Sequence, residues 1–91
     1  MEIRFVKAVQ FTRLIKAGGR LREFNFRKIN NPGVELFNIN VCDDRGDRII
    51  FMMKKEQNDW HLETQGVPVW VTQNEPEFHN VIEEELHNKT Y

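Results

Sequence analysis

Apolar and polar residues alternate along most of the first 65 positions, which is the pattern of strands with one buried face and one exposed face. Segments rich in Gly, Pro, Asn and Asp interrupt this alternation and favour turns at 17–20, 30–33, 43–47 and 56–59. The spacing predicts an antiparallel meander with strands at residues 9–16, 21–29, 34–42, 48–55 and 60–64.

The pattern changes to a helical period near the C-terminus. One amphipathic helix over about 75–88 is predicted because apolar residues recur at three- and four-residue spacing, at Phe78, Val81, Ile82 and Leu86. Asn74 and Glu77 have the spacing of a capping box, which marks the start of this helix.

Two segments leave alternatives open. Residues 3–8 fit either an extension of the first strand or a helix. Residues 67–71 fit either a sixth strand at a sheet edge, where Pro68 is tolerated, or an extended crossover that leads to the helix. The expected fold is therefore α+β: a five- or six-stranded antiparallel β-meander with one C-terminal helix packed on one sheet face. A chain of 91 residues is expected to form a single small globular domain over 1–91.

Hairpin pairing rules predict which residues share a face of the sheet. A loop at 30–33 is expected to pair residues whose numbers sum to 63, so that Phe26 faces Phe37. A three-residue loop at 44–46 gives pairs that sum to 90. The first turn sets Phe11 beside Phe26, and the fourth turn sets Leu62 opposite Met53. The predicted core face consists of Val9, Phe11, Ile15, Phe24, Phe26, Phe37, Ile39, Val41, Ile49, Phe51, Met53, Trp60 and Leu62.

The same parity predicts a group of apolar residues on the opposite, outer face. Leu36, Ile50 and Met52 are expected to lie together across the third and fourth strands. A contiguous apolar patch with a polar rim is typical of a partner surface. The residues predicted to form this interaction surface are Asn25, Arg27, Leu36, Asn38, Asn40, Arg48, Ile50, Met52 and Lys54. The alternative is an internal cover, supplied by 67–71 or by the N-terminus.

Charge is distributed unevenly along the chain. Residues 1–30 carry a net charge of +6 and residues 31–91 carry −7, although the whole chain has a net charge of only −1. A basic half can indicate nucleic-acid binding, but a basic sheet region that complements an acidic helix in the same domain is favoured, because the basic residues are spread out rather than clustered. The run Arg22-Glu23-Phe24-Asn25-Phe26-Arg27-Lys28 would suit base stacking, but parity directs both phenylalanines into the core. The layout of curved antiparallel strands followed by one helix resembles that of PUR-type single-stranded nucleic-acid-binding repeats, a resemblance of fold that carries no functional residues.

The residues that carry catalytic or metal chemistry are sparse. Cys42 is the only cysteine and the chain has no serine, so an intramolecular disulfide and a serine nucleophile are excluded. His61 and Glu63 alternate on the outer face of a strand, where they could act as acid and base. Three further residues, His79, Glu83 and His87, share a helical flank, where solvated side chains are favoured over metal ligands. The Arg45-Gly46-Asp47 tripeptide is interpreted as a hairpin turn. No catalytic, cofactor or metal site is predicted.

No signal peptide or membrane-spanning stretch is apparent, so we expect a cytoplasmic protein that does not contact the membrane. The leading prediction is a non-enzymatic protein-interaction module that uses the outer sheet face, with an unidentified protein or a second copy as its partner. A single-stranded nucleic-acid-binding domain that uses the basic strands is the alternative. A small enzyme or ligand-binding domain is the third hypothesis.

Overall fold

The computed structural model describes residues 9–88, with the exception of the Asn88 side chain. Five antiparallel strands form one sheet in the order β1-β2-β3-β4-β5, and two helices follow. The elements are β1 (Gln10–Ala17), β2 (Arg20–Asn31), β3 (Val34–Cys42), β4 (Arg48–Glu56), β5 (Asp59–Leu62), α1 (Val69–Thr72) and α2 (Glu75–Asn88). The α+β meander with a C-terminal helix is confirmed. The prediction for residues 3–8 lies outside the described residues.

The segment 67–71 is neither a sixth strand nor a fully extended crossover, because it enters the short helix α1. Pro68 immediately precedes this helix and its carbonyl accepts the Val71 N–H at 2.9 Å. The alternating valines suggested a strand, but Val71 and Trp70 pack onto the core cluster while Val69 remains 69% exposed. A segment of only five residues has too few apolar positions for their spacing to distinguish one helical turn from a short strand.

Three of the four hairpin registers agree with the prediction, but the pairing of β2 with β3 does not. Pairs in this hairpin sum to 65, so that Phe26 faces Ile39 and Lys28 faces Phe37. The reason is the two-residue loop at Pro32 and Gly33, where Gly33 adopts a φ of +77° that favours glycine. A shift of two residues preserves the side-chain parity, and the predicted faces are therefore confirmed despite the wrong partners.

Helix α2 covers the inner face of the sheet. The Phe78 ring lies 5.1 Å from the Phe24 ring centroid and 5.3 Å from that of Phe51, and all three side chains are fully buried. At the β1 end of the helix, Arg13 forms ion pairs with Glu84 and Glu85, each at 3.1 Å. The hydrogen bond that Arg13 donates to the Glu85 carboxylate raises the pKa of the Arg13 guanidinium above its ordinary value, although burial acts in the opposite direction. The sheet and the helix therefore share one aromatic core.

Arg22 is the one strongly buried cation on the inner face in the described part of the chain. Its Nε donates to the Ala17 carbonyl at 2.7 Å, and its Nη1 lies 3.0 Å from an Asp44 carboxylate oxygen. The guanidinium also stacks 4.1 Å from the Trp70 ring centroid. A Cβ at Gly18 would lie 3.0 Å from Arg22 and 3.1 Å from Trp70. Arg22 thus connects the first turn, the β3–β4 loop and α1.

Candidate interaction surface

The nine residues of the predicted interaction surface, called the outer-face patch below, lie on three adjacent strands. In the observed register, Asn25 is beside Asn40, and Asn40 is beside Ile50. The next row contains Arg27, Asn38 and Met52. Leu36 pairs with Lys54 one row further on, and Arg48 lies opposite Cys42 at the other end. The two-residue error in the β2–β3 register changes which residues are neighbours, but all nine stay on the outer face.

The apolar centre of the outer-face patch is accessible to solvent. Ile50 is 57% exposed, and Leu36 and Met52 are half-buried. Ile29, which the sequence analysis did not include, pairs with Leu36 and is half-buried. The alternative of an internal cover by 67–71 is wrong, because Val67, Trp70 and Val71 pack on the inner core. Cover by the N-terminus concerns residues outside the described range.

A hydrogen-bonded row of polar side chains crosses the outer face beside this apolar centre. Thr12 Oγ1 lies 2.8 Å from Asn25 Oδ1, and the Asn25 amide donates to Asn40 Oδ1 at 3.1 Å. Arg48 Nη1 donates to the same Asn40 oxygen at 2.5 Å. These bonds hold the side chains in fixed positions. A partner that binds here therefore meets groups that are already ordered, which lowers the entropic cost of association.

The basic residues of the outer-face patch differ in how they are paired. Lys54 Nζ lies 3.6 Å from a Glu63 carboxylate oxygen, and Arg48 is engaged by Asn40. Arg27 is exposed and has no ion-pair partner within residues 9–88. Surface pairs of this kind contribute little to stability, about 0–1 kcal/mol each. The positive charges of Arg27, Arg48 and Lys54 are therefore available to a partner.

Two shallow cavities lie on this side of the sheet. One, of about 400 Å³, is lined by Thr12, Asn25, Arg27 and other residues of β1–β3. The second, of about 310 Å³, opens where the β2–β3 pairing ends at Asn25 and Asn40, and its lining includes Arg48. Both are bordered by residues of the outer-face patch.

The candidate catalytic residues are not brought together. Cys42 pairs with Arg48 at one end of β4, whereas His61 pairs with Lys54, six positions further along that strand. A separation of six residues in a strand corresponds to about 20 Å. The Glu63 carboxylate contacts Lys54, so Glu63 lies at the His61 end of β4 and away from Cys42.

The three α2 residues with metal-ligand spacing, His79, Glu83 and His87, make two separate contacts. His87 lies 2.9 Å from the Glu83 carboxylate at the exposed end of α2, whereas His79 accepts a backbone N–H from β5. Among residues 9–88 no cluster of three or more His, Cys, Asp or Glu side chains is suited to a metal ion.

The Arg45-Gly46-Asp47 segment forms the expected hairpin turn. Asp43 Oδ1 accepts the N–H groups of Arg45 and Asp47 at 2.9 and 2.8 Å, and Gly46 has a φ of +84°. The turn itself therefore explains the glycine of the tripeptide and the backbone bonds of its two neighbours.

Sequence reasoning did not identify the side chains that protect strand β5. Glu75 Oε2 accepts the Leu62 N–H at 2.6 Å, and His79 Nδ1 accepts the Trp60 N–H at 3.0 Å. These N–H groups point away from β4, toward the open edge of the sheet. The only sequence signal was helical spacing of Glu75 and His79, which does not specify that they face a strand edge.

No family model, no curated protein and no solved structure matches the chain. No described helix is long and apolar enough to cross a membrane.

Proposed function

We propose that the chain is a non-catalytic protein-interaction module that binds a partner protein through the outer-face patch, and that the first partner to test is a second copy of the chain. The observation that carries this proposal is the contrast between the two sheet faces. Helix α2 covers the inner face, whereas Ile50 of β4 remains 57% exposed on the outer face. A cytoplasmic location is part of the proposal, since the chain has a single cysteine.

The composition of the outer-face patch supports protein binding. Interfaces combine an apolar centre with a polar rim, and Arg and Met are enriched in them. Here Leu36, Ile50 and Met52 are bordered by Arg27, Arg48 and Lys54. A two-fold arrangement of two patches would place each apolar centre against the other while the basic residues remain at the rim.

The experiment is sedimentation equilibrium of the wild-type chain and of the double variant Ile50→Asp/Met52→Asp. We expect concentration-dependent association of the wild type and at least a tenfold weaker association through this face in the double variant, because association would desolvate carboxylates at the apolar centre. Leu21→Asp is the matched control, because Leu21 is 64% exposed on the same face but lies outside the patch. A chain that stays monomeric up to about 1 mM, or a double variant that associates like the wild type, would contradict self-association through this face.

A second candidate function, single-stranded nucleic-acid binding, is favoured by one specific observation. The amides of Asn25, Asn38 and Asn40 lie in rows with Arg27 and Arg48 on an open sheet face. Amides and arginines can contact bases and phosphates. Against this candidate, Phe24 and Phe26 are buried, so the face lacks stacking aromatics.

The test of this candidate is a titration with a fluorescent single-stranded oligonucleotide. Binding at low salt that weakens steeply as salt rises would support it, because phosphate contacts release counterions. The variant Arg27→Ala should then reduce affinity. A flat titration at low salt would eliminate nucleic-acid binding.

A further inference from the structure

The two edge strands of the sheet differ in length and in whether their outward backbone groups are hydrogen-bonded. Strand β5 has four residues, and its outward N–H groups at Trp60 and Leu62 are bonded to side chains of α2. Strand β1 has eight residues and lies at the opposite edge. Within residues 9–88, no side chain or backbone group bonds the outward side of β1. Exposed strand edges invite pairing with another chain, and proteins usually protect them.

The hairpin geometry identifies which groups of β1 are exposed. The loop at Gly18 and Gly19 has positive φ at both residues, as a two-residue type I′ turn requires, and Ala17 therefore pairs closely with Arg20. The odd-numbered residues of β1 consequently bond β2, in agreement with the bond from the Lys28 N–H to the Val9 carbonyl. The backbone groups that point away from the sheet belong to Gln10, Thr12, Leu14 and Lys16.

We propose that the edge of β1 pairs antiparallel with β1 of a second copy of this chain, about a two-fold axis at Leu14. The two sheets would then form one continuous sheet, with both outer faces on the same side. This surface is distinct from the outer-face patch, so the inference goes beyond the proposed function and does not depend on it.

The residues of β1 suit a register about Leu14. Only even-numbered residues have outward backbone groups, so the pairs must match even with even. With Leu14 opposite its own copy, Thr12 faces Lys16 and the odd-numbered Arg13 faces Ile15. No two like charges are then directly opposite each other. A two-fold axis at Arg13 would also match even with even, because Thr12 would face Leu14. That register would set the two copies of Arg13 directly opposite each other.

Side chains support the same register. Leu14 is 66% exposed on the outer side of β1, and pairing with its own copy would bury apolar surface that the monomer leaves in water. The strand has no proline, glycine or bulge, and it pairs with β2 without interruption from Gln10 to Ala17. An inward-pointing charge often protects an edge, but Arg13 is already neutralised by Glu84 and Glu85.

The first test compares Leu14→Lys with Leu21→Lys by sedimentation velocity over a concentration series. The two leucines are exposed to nearly the same extent, 66% and 64%, and both lie on the outer face, but only Leu14 belongs to the edge strand. Both substitutions are made in the Ile50→Asp/Met52→Asp background, which disables the outer-face patch. In that background we expect a species of twice 10.9 kDa without a leucine substitution and with Leu21→Lys. The Leu14→Lys variant should dimerise at least tenfold more weakly, because two lysines would meet at the two-fold axis.

The second test is amide hydrogen exchange of the full chain at low and high concentration. Concentration should slow exchange at Thr12, Leu14 and Lys16, while Arg13 and Ile15 remain protected at both concentrations through β2. Equal exchange of the even-numbered amides at both concentrations would overturn the proposal. An Ile50→Asp/Met52→Asp protein that stays monomeric at about 1 mM, or one that dimerises equally well after Leu14→Lys is added, would overturn it too. Loss of association in Ile50→Asp/Met52→Asp alone would point to the outer-face patch instead.

Discussion

The two faces of the sheet use alternate residues of the same strands and yet have opposite physical characters. On the inner face, Phe24, Phe26, Phe37 and Phe51 are at most 1% exposed beneath α2. On the outer face, hydrogen-bonded polar side chains lie beside Ile50, which is 57% exposed. The inner face stabilises the fold because it removes aromatic surface from water. The outer face contributes less to folding and is therefore free to specialise in binding.

Neighbouring residues of β2 give the sharpest contrast between the two faces. The Phe26→Ala variant should lose about 3–5 kcal/mol of unfolding free energy, because it removes a buried ring and leaves a cavity. The Asn25→Ala variant removes hydrogen bonds on the partly solvated outer face and should lose only about 0.5–1.5 kcal/mol. Urea unfolding of both variants measures the difference. Similar losses would contradict the division of roles between the faces.

Arg22 is the polar exception on the inner face, and its replacement should have the next largest effect. Arg22→Met should cost about 1–3 kcal/mol, since the Ala17 carbonyl loses its donor in a buried site. Arg20→Met is the matched control because Arg20 binds the same Asp44 oxygen but its side chain is 63% exposed. We expect a loss of at most about 0.5 kcal/mol there. Thermal unfolding of Arg22→Met and Arg20→Met measures the two losses of unfolding free energy. Equal losses would refute a structural role for Arg22.

The protected β5 edge allows a smaller effect to be measured. Glu75→Ala should cost about 1 kcal/mol more than Glu77→Ala, because only Glu75 accepts the Leu62 N–H. Both glutamates lie in the first turn of α2, so the interaction with the helix dipole is removed in each case. Denaturant unfolding gives the difference, and faster exchange of the Leu62 amide in Glu75→Ala would confirm its origin. An unchanged Leu62 exchange rate would argue against this protection.

The smallest effect on folding is expected in the outer-face patch. Ile50→Asp should change the free energy of unfolding by no more than about 0.5 kcal/mol, as surface substitutions usually do. A larger loss would mean that Ile50 supports the fold, and its exposure would then be a poor guide to binding.

The faces of the sheet could be predicted from sequence because alternation has a period of two. Even the wrong β2–β3 register kept Phe26 inside and Asn25 outside, since the error was an even number of residues. The segment 67–71 could not be assigned, because one helical turn and one short strand bury apolar residues at similar spacings. The hydrogen bonds of Arg22 to Asp44, of Glu75 to Leu62 and of His79 to Trp60 could not be predicted either, since they join elements that are distant in sequence.

The outer-face patch was predictable as a set of residues, but its organisation was not. Parity places Asn25 and Asn40 on one face, whereas their hydrogen bond depends on the true register of the β2–β3 hairpin. That register is determined by the two-residue loop at Pro32 and Gly33, which lies one residue further along the chain than the centre of the predicted loop.

The central claim, that the outer face is the binding face, is tested most directly by nuclear magnetic resonance of the Leu14→Lys variant at increasing concentration. This background removes the proposed edge pairing and leaves the outer-face patch intact. The account predicts amide shift changes that cluster at Leu36, Asn38, Ile50 and Met52 and disappear when Ile50→Asp is added. Shift changes confined to α2, or none up to about 1 mM, would contradict it.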